Sequence, residues 1–372
     1  MQKTLTSQPT PLLTTAEQLA GACDNWRKAP WLALDTEFLR EDTYYPKLCL
    51  IQVGDGRDNI CIDAVALPGE ALRPLLDLLN QVDAAKVFHA ASQDLEIFAQ
   101  LRGRTPQPLF DTQVAAALLG HGDQLGYAGL VEKLCGIKLD KSLTRTNWSR
   151  RPLNAAELAY AADDVRYLGE IYPRLREELV ARGRLQWLEE DCLRLGDPAR
   201  YRNPPEQAWR RLKGLARLAP QAQRAAAALA AWREQEAQER NRPRKWIVDD
   251  DAVYRLAERR PGDRAQLEEL RLLPPKTLER HAGALLEVIA GAAGETGPLA
   301  LEEVPLDEAQ KSKLKQLLDR LRALGEALGL PPSMLGPRSD VEALLRRGSD
   351  AEVPLLRGWR RGAAGEELLR ML

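Results

Sequence analysis

Over the first two hundred residues, short apolar runs alternate with amphipathic stretches, and several runs close on polar or acidic residues. Residues 31–38, WLALDTEF, predict a strand whose apolar half gives way to acids at its end. Residues 48–53 and 59–63 predict two more strands, separated by the turn-forming Gly54-Asp55-Gly56. Short links between three strands predict an antiparallel meander. Helical character then follows at 70–79 and 92–101, with strand-like runs at 86–89 and 108–111. A meander followed by strand–helix alternation predicts an α/β domain with a mixed sheet and helices packed on it.

From Pro204-Pro205 onward the strand signals stop. Ala, Leu, Arg and Glu dominate at helical spacing, as in Leu212, Leu215, Ala216 and Leu218 and in the run 225–232. A Gly/Ala link, GAAGETGP at 291–298, precedes a second helical stretch punctuated by Pro331-Pro332 and Gly336-Pro337. The chain has 372 residues, too many for one compact core. The expected division is an α/β domain at 1–203 and helical bundles at 204–290 and 299–372. No apolar run reaches the roughly 18–20 residues that span a bilayer, and the N-terminus MQKTLTSQPTPLLTT lacks a signal-peptide pattern. The expectation is a cytoplasmic protein without membrane contact.

Five cysteines, widely spaced and without a CxxC pair, argue against a disulfide framework and a structural zinc site. Histidines number three, so multi-metal chemistry would rest on carboxylates, which favour Mg²⁺ or Mn²⁺ over zinc. The net charge of −1 is unevenly spread. Residues 1–200 carry 23 Lys/Arg against 28 Asp/Glu, and residues 201–290 carry 18 against 13. An acidic first part beside a basic middle part suits a metal-binding unit next to a phosphate-binding one; uneven solvated helix faces would give the same sums.

Three acidic segments stand out. Asp35 and Glu37 are two apart on a strand, so both carboxylates point to one face, where their repulsion calls for a cation. Asp94 falls in the first turn of the helix expected from Ser92, with Ser92 as the cap and Asp94 free to project toward the sheet. Tyr160 and Asp164 are four apart in a helical context and stack on one face, while Asp163 lies about 100° round the cylinder, in solvent. Each segment alone is weak: a solvated strand end, a capping carboxylate or a surface pair would look the same.

Together they resemble the three exonuclease motifs of the DEDD superfamily of 3′–5′ exonucleases, in its tyrosine-bearing subgroup. The segments WLALDTEFLREDTYYPKLCLIQV, FHAASQDLEIF, PQPLFDTQVAA, LDKSLTRTNWSRRPL and YAADDVRYL, in that order, narrow the resemblance to the ribonuclease D family over residues 20–200. Residues 204–290 resemble an HRDC domain, a helical nucleic-acid-binding module, through LAAWRE, NRPRKWIV and the helical stretch 251–259. Residues 299–372 resemble a second, divergent one. The resemblance implies an RNase H-like fold for the first domain. It also implies a monomeric enzyme, without an obligate protein partner, that trims 3′ ends of tRNA precursors and other structured RNAs and releases nucleoside 5′-monophosphates.

In that family pattern two divalent cations would be held by Asp35, Glu37, Asp94 and Asp164. Asp35 would serve both, Glu37 and Asp164 the water-activating ion, and Asp94 the ion at the leaving group. Tyr160 would orient the attacking water; a phenol with a pKa of about 10 is a poor general base. Phe38, just past the acidic pair, would wedge against the terminal base or belong to the core. His89, ending a strand, reads as structural or as a substrate contact. Asp111, before Thr112 and a helix, reads as an N-cap. Around Trp148 lie Lys141, Arg145, Arg150 and Arg151, an arrangement that grips phosphates and stacks a base, unless Trp148 anchors a solvated loop to the core. Arg240, Arg242, Arg244 and Lys245 beside Trp246 form the basic patch expected to track RNA, with inter-domain packing as the alternative. A DNA exonuclease and an inactive RNA-binding scaffold are the rival functions; retention of all four acids and Tyr160 argues against the scaffold.

Overall fold

The structure is a computed structural model that describes residues 10–80, 83–140, 142–143, 146–294, 297, 299 and 304–372. Lys141 and Arg145, the first nine residues, and positions 295, 296 and 298 of the expected link lie outside the described residues. The chain divides into two compact units. The first comprises the chain up to Leu39, Leu48–Tyr201 and Leu306–Leu372; the second comprises Arg40–Lys47 and Arg202–Pro305.

The first unit is built on a six-stranded sheet ordered β1-β4-β3-β2-β5-β6. Its strands are β1 (Leu12–Leu13), β2 (Trp31–Leu39), β3 (Lys47–Gly54), β4 (Asn59–Asp63), β5 (Ala85–Phe88) and β6 (Leu109–Asp111). β3 and β4 are antiparallel, whereas β1 and β4, β2 and β5, and β5 and β6 run parallel, so the sheet is mixed as the pattern predicts. β1 and the helix α1 (Ala16–Trp26), with its Thr15–Gln18 capping box, were not anticipated; a two-residue strand leaves no periodicity to read. The helix expected at 70–79 divides into a 3₁₀ turn, Gly69–Leu72, and α2 (Arg73–Leu78), because Pro74 suits a first helical turn and not a helix interior. Around the sheet follow α3 (Ser92–Arg102), α4 (Thr112–Leu118), α5 (Tyr127–Cys135), α6 (Ala155–Arg166), α7 (Leu168–Ala181) and α8 (Leu185–Leu195). Pairing of β2 with β5 runs from Trp31↔Ala85 to Ala33↔Val87, so β5 ends beside the point where β2 turns acidic.

The second unit holds α9 (Pro220–Glu239), α10 (Arg244–Ile247), α11 (Asp250–Arg259), α12 (Arg264–Glu269) and α13 (Pro275–Gly291) around Leu229, Leu256 and Leu285. The helical spacing at 212–218 folds instead into 3₁₀ turns on either side of Gly214, whose φ of +82° breaks a right-handed helix.

Of residues 299–372, expected as a third body, Leu306–Leu372 group with the first unit. They form α14 (Glu308–Leu328), α15 (Pro332–Leu335), α16 (Arg338–Arg347) and closing helical turns at 358–370. Leu317, Leu335, Leu344 and Leu355 are buried in the same apolar cluster as Leu188 and Cys192 of α8. Trp359 stacks on Trp187 at 4.5 Å and 7°, and Arg360 grips Asp191 with two bonds of 2.5 and 2.9 Å. Their apolar faces are completed by the sheet domain, so this segment has no separate core of its own. Among the described residues no helix is long and apolar enough to cross a membrane.

Candidate active site

Alternation along β2 sends Leu32 and Leu34 into the core and leaves Asp35 and Glu37 together on the opposite face. Asp164 reaches them from α6, whose start is fixed by a capping box between Asn154 and Glu157. Ligand atoms of Asp35, Glu37 and Asp164 lie within 4.8 Å of one another. Asp163, expected in solvent, instead pairs with Arg166 at 2.8 Å and lines the same cleft as Tyr160 and Asp164.

Asp94 sits beside this triplet and not in it. Its Oδ1 accepts a 2.5 Å hydrogen bond from the hydroxyl of Thr36, which points to the other face of β2. Contrary to expectation, Ser92 is not the cap of α3: Ala91 occupies that position with no side-chain bond. The turn is held from β6, where buried Asp111 accepts from the N–H groups of Ala90 and Ala91 at 3.1 and 2.9 Å. Asp111 also caps α4 through Gln113 and Val114, the N-cap role read from sequence.

The electrostatics are those of a cation site. Burial, then the charges of Asp94, Asp164 and Glu37, holds the Asp35 carboxyl well above its ordinary value. Burial and the charges of Asp164 and Asp94 push Glu37 to about 8. Asp94 rises to about 7, mainly by burial and against the Thr36 hydrogen bond; Asp164 rises to about 7 by burial and the charge of Asp163. Crowded carboxylates that resist ionisation are what a divalent cation reverses, so the donor set fits hard metal ions.

Tyr160 lines a cleft of about 820 Å³ with Asp164, Tyr127, Asp140 and Ser142. Its ring stacks on Trp148 at 6.1 Å and 27°. Trp148 is 3% exposed, packed among Cys49, Cys61 and Ala161, so it cannot stack a base; it anchors its loop instead. Arg151 is likewise committed inward, to Asp63, while Arg150 bonds Glu157. Phe38 is half-buried at the end of β2. His89 has Nδ1 2.9 Å from the Thr112 hydroxyl and its ring beside Tyr127, and burial lowers its pKa.

Tyr127 was missed by the sequence reading. Its hydroxyl donates to the Asp163 carbonyl at 2.7 Å and so ties α5 to the helix bearing Tyr160 and Asp164. Thr36 was also missed, although its place between the two acids of β2 was in view.

In the second unit, Arg244 does not belong to a free basic patch. Its guanidinium pairs with the buried carboxylate of Glu234 and donates to the Tyr44 hydroxyl at 2.9 Å. Burial alone would raise Glu234, but hydrogen bonds from Arg244 and Tyr44 and the charges of Arg244 and Arg211 outweigh it and hold its pKa low. Arg242 lies over the half-exposed ring of Trp246 at 5.9 Å, and Lys245 is exposed beside them.

Comparison with known proteins follows the same lines. A 3′-5′ exonuclease family model matches residues 12–180, and an HRDC domain model matches residues 222–289. Ribonuclease D of Sphingobium indicum is 40% identical, across 97% of this chain and 94% of that one. Ribonuclease D of Pseudomonas paraeruginosa is 40% identical across 95% of each. The crystal structure of Escherichia coli RNase D, described as an exoribonuclease involved in structured RNA processing, superposes with a TM-score of 0.87. It is 31% identical, over 98% of this chain and 99% of that one.

Proposed function

The chain belongs to the ribonuclease D family of 3′–5′ exoribonucleases, and from that premise we propose that Asp35, Glu37, Asp94, Asp164 and Tyr160 carry out its hydrolysis. The observation that carries this reading is the meeting of Asp35, Glu37 and Asp164 within 4.8 Å from two distant segments, with Asp94 coupled to them by charge. The four carboxylates would hold two divalent cations, Mg²⁺ or Mn²⁺. Such cations, when bound, supply the positive charge that stabilises the attacking and leaving oxygens of a phosphodiester. Asp35, Glu37 and Asp164 would hold them together, with Asp94 contributing from the turn held by Thr36 and Asp111. Tyr160 orients the attacking water by a hydrogen bond from the cleft wall.

The RNA 3′ end would enter by the cleft beside Tyr160, with Phe38 at its edge. Arg242, Lys245 and Trp246 of the HRDC region would contact RNA, a basic side chain and an aromatic face being suited to single-stranded RNA. Lys141 and Arg145 remain candidates for phosphate contact; Trp148 and Arg151 do not. Structured RNA ends, tRNA precursors among them, are the proposed substrates, and nucleoside 5′-monophosphates the products. We propose that the protein acts as a cytoplasmic monomer.

The test is digestion of one RNA labelled at its 3′ end or at its 5′ end, with and without EDTA, beside a DNA strand of the same sequence. The 3′ label should leave as a mononucleotide, EDTA should stop the reaction, and RNA should be the faster substrate. Asp35→Asn should lower kcat by at least about 10²–10³-fold, the scale of losing a main electrostatic element of an active site. Trimming by Asp35→Asn at the wild-type rate would sink the assignment.

A further inference from the structure

We infer that Trp148 is a positioning residue for Tyr160, held in place by the Arg151–Asp63 pair, so that this buried assembly sets the direction of the tyrosine hydroxyl. The inference rests on the reading of Tyr160 as the residue that orients water.

Trp148 lies in the segment 146–152, which has no helix or strand to hold it. A large ring on such a loop needs another anchor, and Arg151 supplies it. Nε and Nη2 donate to the two carboxylate oxygens of Asp63, both at 2.6 Å, and Nη2 also donates to the Cys49 carbonyl at 2.9 Å. Nη1 donates to the carbonyls of Trp148 and Arg150 at 2.7 and 2.8 Å. The five N–H bonds of the guanidinium are therefore used, tying the backbone of Trp148 itself to the ends of β3 and β4. Asp63 is in turn fixed by the N–H groups of Val65 and Ala66, each at 3.0 Å.

On that base the indole fills the space between the sheet and α6. Cys49, Leu50 and Cys61 lie on the sheet side, and Ala161 and Ala162 on the helix side. The two alanines are small enough to admit it. Its face then meets the Tyr160 ring at 6.1 Å and 27°. Tyr160 is one turn before Asp164 on α6, so its backbone is already placed. What the helix does not fix is rotation of the side chain in the cleft, and a buried flat surface on one side restricts it. Small errors in such an alignment are costly: a displacement of about 1 Å can lose about 10²-fold in rate.

The experiment measures kcat and KM for RNA trimming in wild type, Trp148→Leu, Trp148→Phe, Tyr160→Phe and the double variant Trp148→Leu/Tyr160→Phe. Divalent-cation affinity and Tm are measured alongside. Trp148→Leu should lower kcat by about 10–100-fold, as loss of a supporting residue does, with KM and cation affinity near wild type. Trp148→Phe, which keeps a ring, should recover most of the loss. In the Tyr160→Phe background there is no hydroxyl to aim, so Trp148→Leu should add less than about twofold. Arg151→Lys, which keeps the charge but loses the fork, should show the same non-additivity and covers the case in which Trp148→Leu does not fold.

Equal losses in both backgrounds would overturn the inference while leaving an impaired Tyr160→Phe to support the tyrosine. A raised KM with kcat retained would return Trp148 to RNA contact and overturn it too. Wild-type kcat in Tyr160→Phe would remove the role of the tyrosine and the inference with it.

Discussion

Thr36 lies between the two acids of β2, and its hydroxyl, on the opposite face, donates to Asp94. One strand thus serves the site from both faces, two carboxylates on one and a hydroxyl that orients a third acid on the other. Thr36→Val keeps the shape and removes the donor, and should cost about 10–100-fold in activity or metal affinity, the range seen for groups that orient metal ligands. Thr36→Ser should retain most of it. Steady-state trimming and titration with Mn²⁺ would check both, and wild-type behaviour of Thr36→Val would dismiss the hydrogen bond as incidental. At this scale the sequence was readable where a side chain acts by its own chemistry. Asp35, Glu37 and Asp164 were placed by alternation and helical spacing. It was unreadable where a side chain acts through another: Thr36 had no charge or motif of its own, and Trp148 and Arg151 look like an RNA grip until burial and hydrogen bonds are seen.

The turn between β5 and α3 is the element that delivers Asp94. Ala90 sits there with a φ of +57°, a left-handed conformation that costs a non-glycine residue about 1–2 kcal/mol. The hydrogen bond from its N–H to Asp111 holds it there. Ala90→Gly should raise the midpoint of thermal unfolding and leave activity intact, and Ala90→Val should lower stability by about 1–2 kcal/mol because a branched Cβ is least tolerated in this region. Denaturant unfolding of the three proteins checks the order; a stabilised valine variant would contradict it. The sequence predicts strand, helix and an acid in the first turn, but assigns the cap to Ser92. Hydroxyl preference is a local rule, and here the turn is held instead by a carboxylate from β6, some twenty residues away in sequence, which accepts from the N–H groups of Ala90 and Ala91.

At the scale of the whole molecule, metal and pH act together on stability. In the metal-free protein Glu37 titrates near 8 and Asp94 and Asp164 near 7, against about 4 in an unfolded chain. Between those limits the folded state binds more protons than the unfolded state, so stability falls as pH rises from about 4 to about 8. With EDTA present, Tm should therefore be lower at pH 8 than at pH 6. Added Mn²⁺ should raise Tm more at pH 8, where less proton must be displaced, and the gain should shrink in Asp35→Asn. A metal-independent Tm at pH 8 would contradict this account. A second expectation concerns the C-terminal helices. Trp359 is 7% exposed and stacked on Trp187 of α8, so Trp359→Ala should destabilise the exonuclease unit by about 3–5 kcal/mol. Loss of RNA trimming at lower urea concentration is the readout. An unchanged midpoint would restore residues 299–372 to the status of an independent body.

The sequence by itself determined the mixed-sheet domain, the helical character after Pro204 and the identity of the acids, because alternation, helical period and charge are properties of neighbours along the chain. Tertiary structure decided which polar side chains were free to act. Arg151, Arg244 and Trp148 are spent on Asp63, Glu234 and Tyr160, partners 88, 10 and 12 positions away. It also decided that residues 306–372 complete the core of the first unit, since an apolar helix face specifies that it must be covered but not by what.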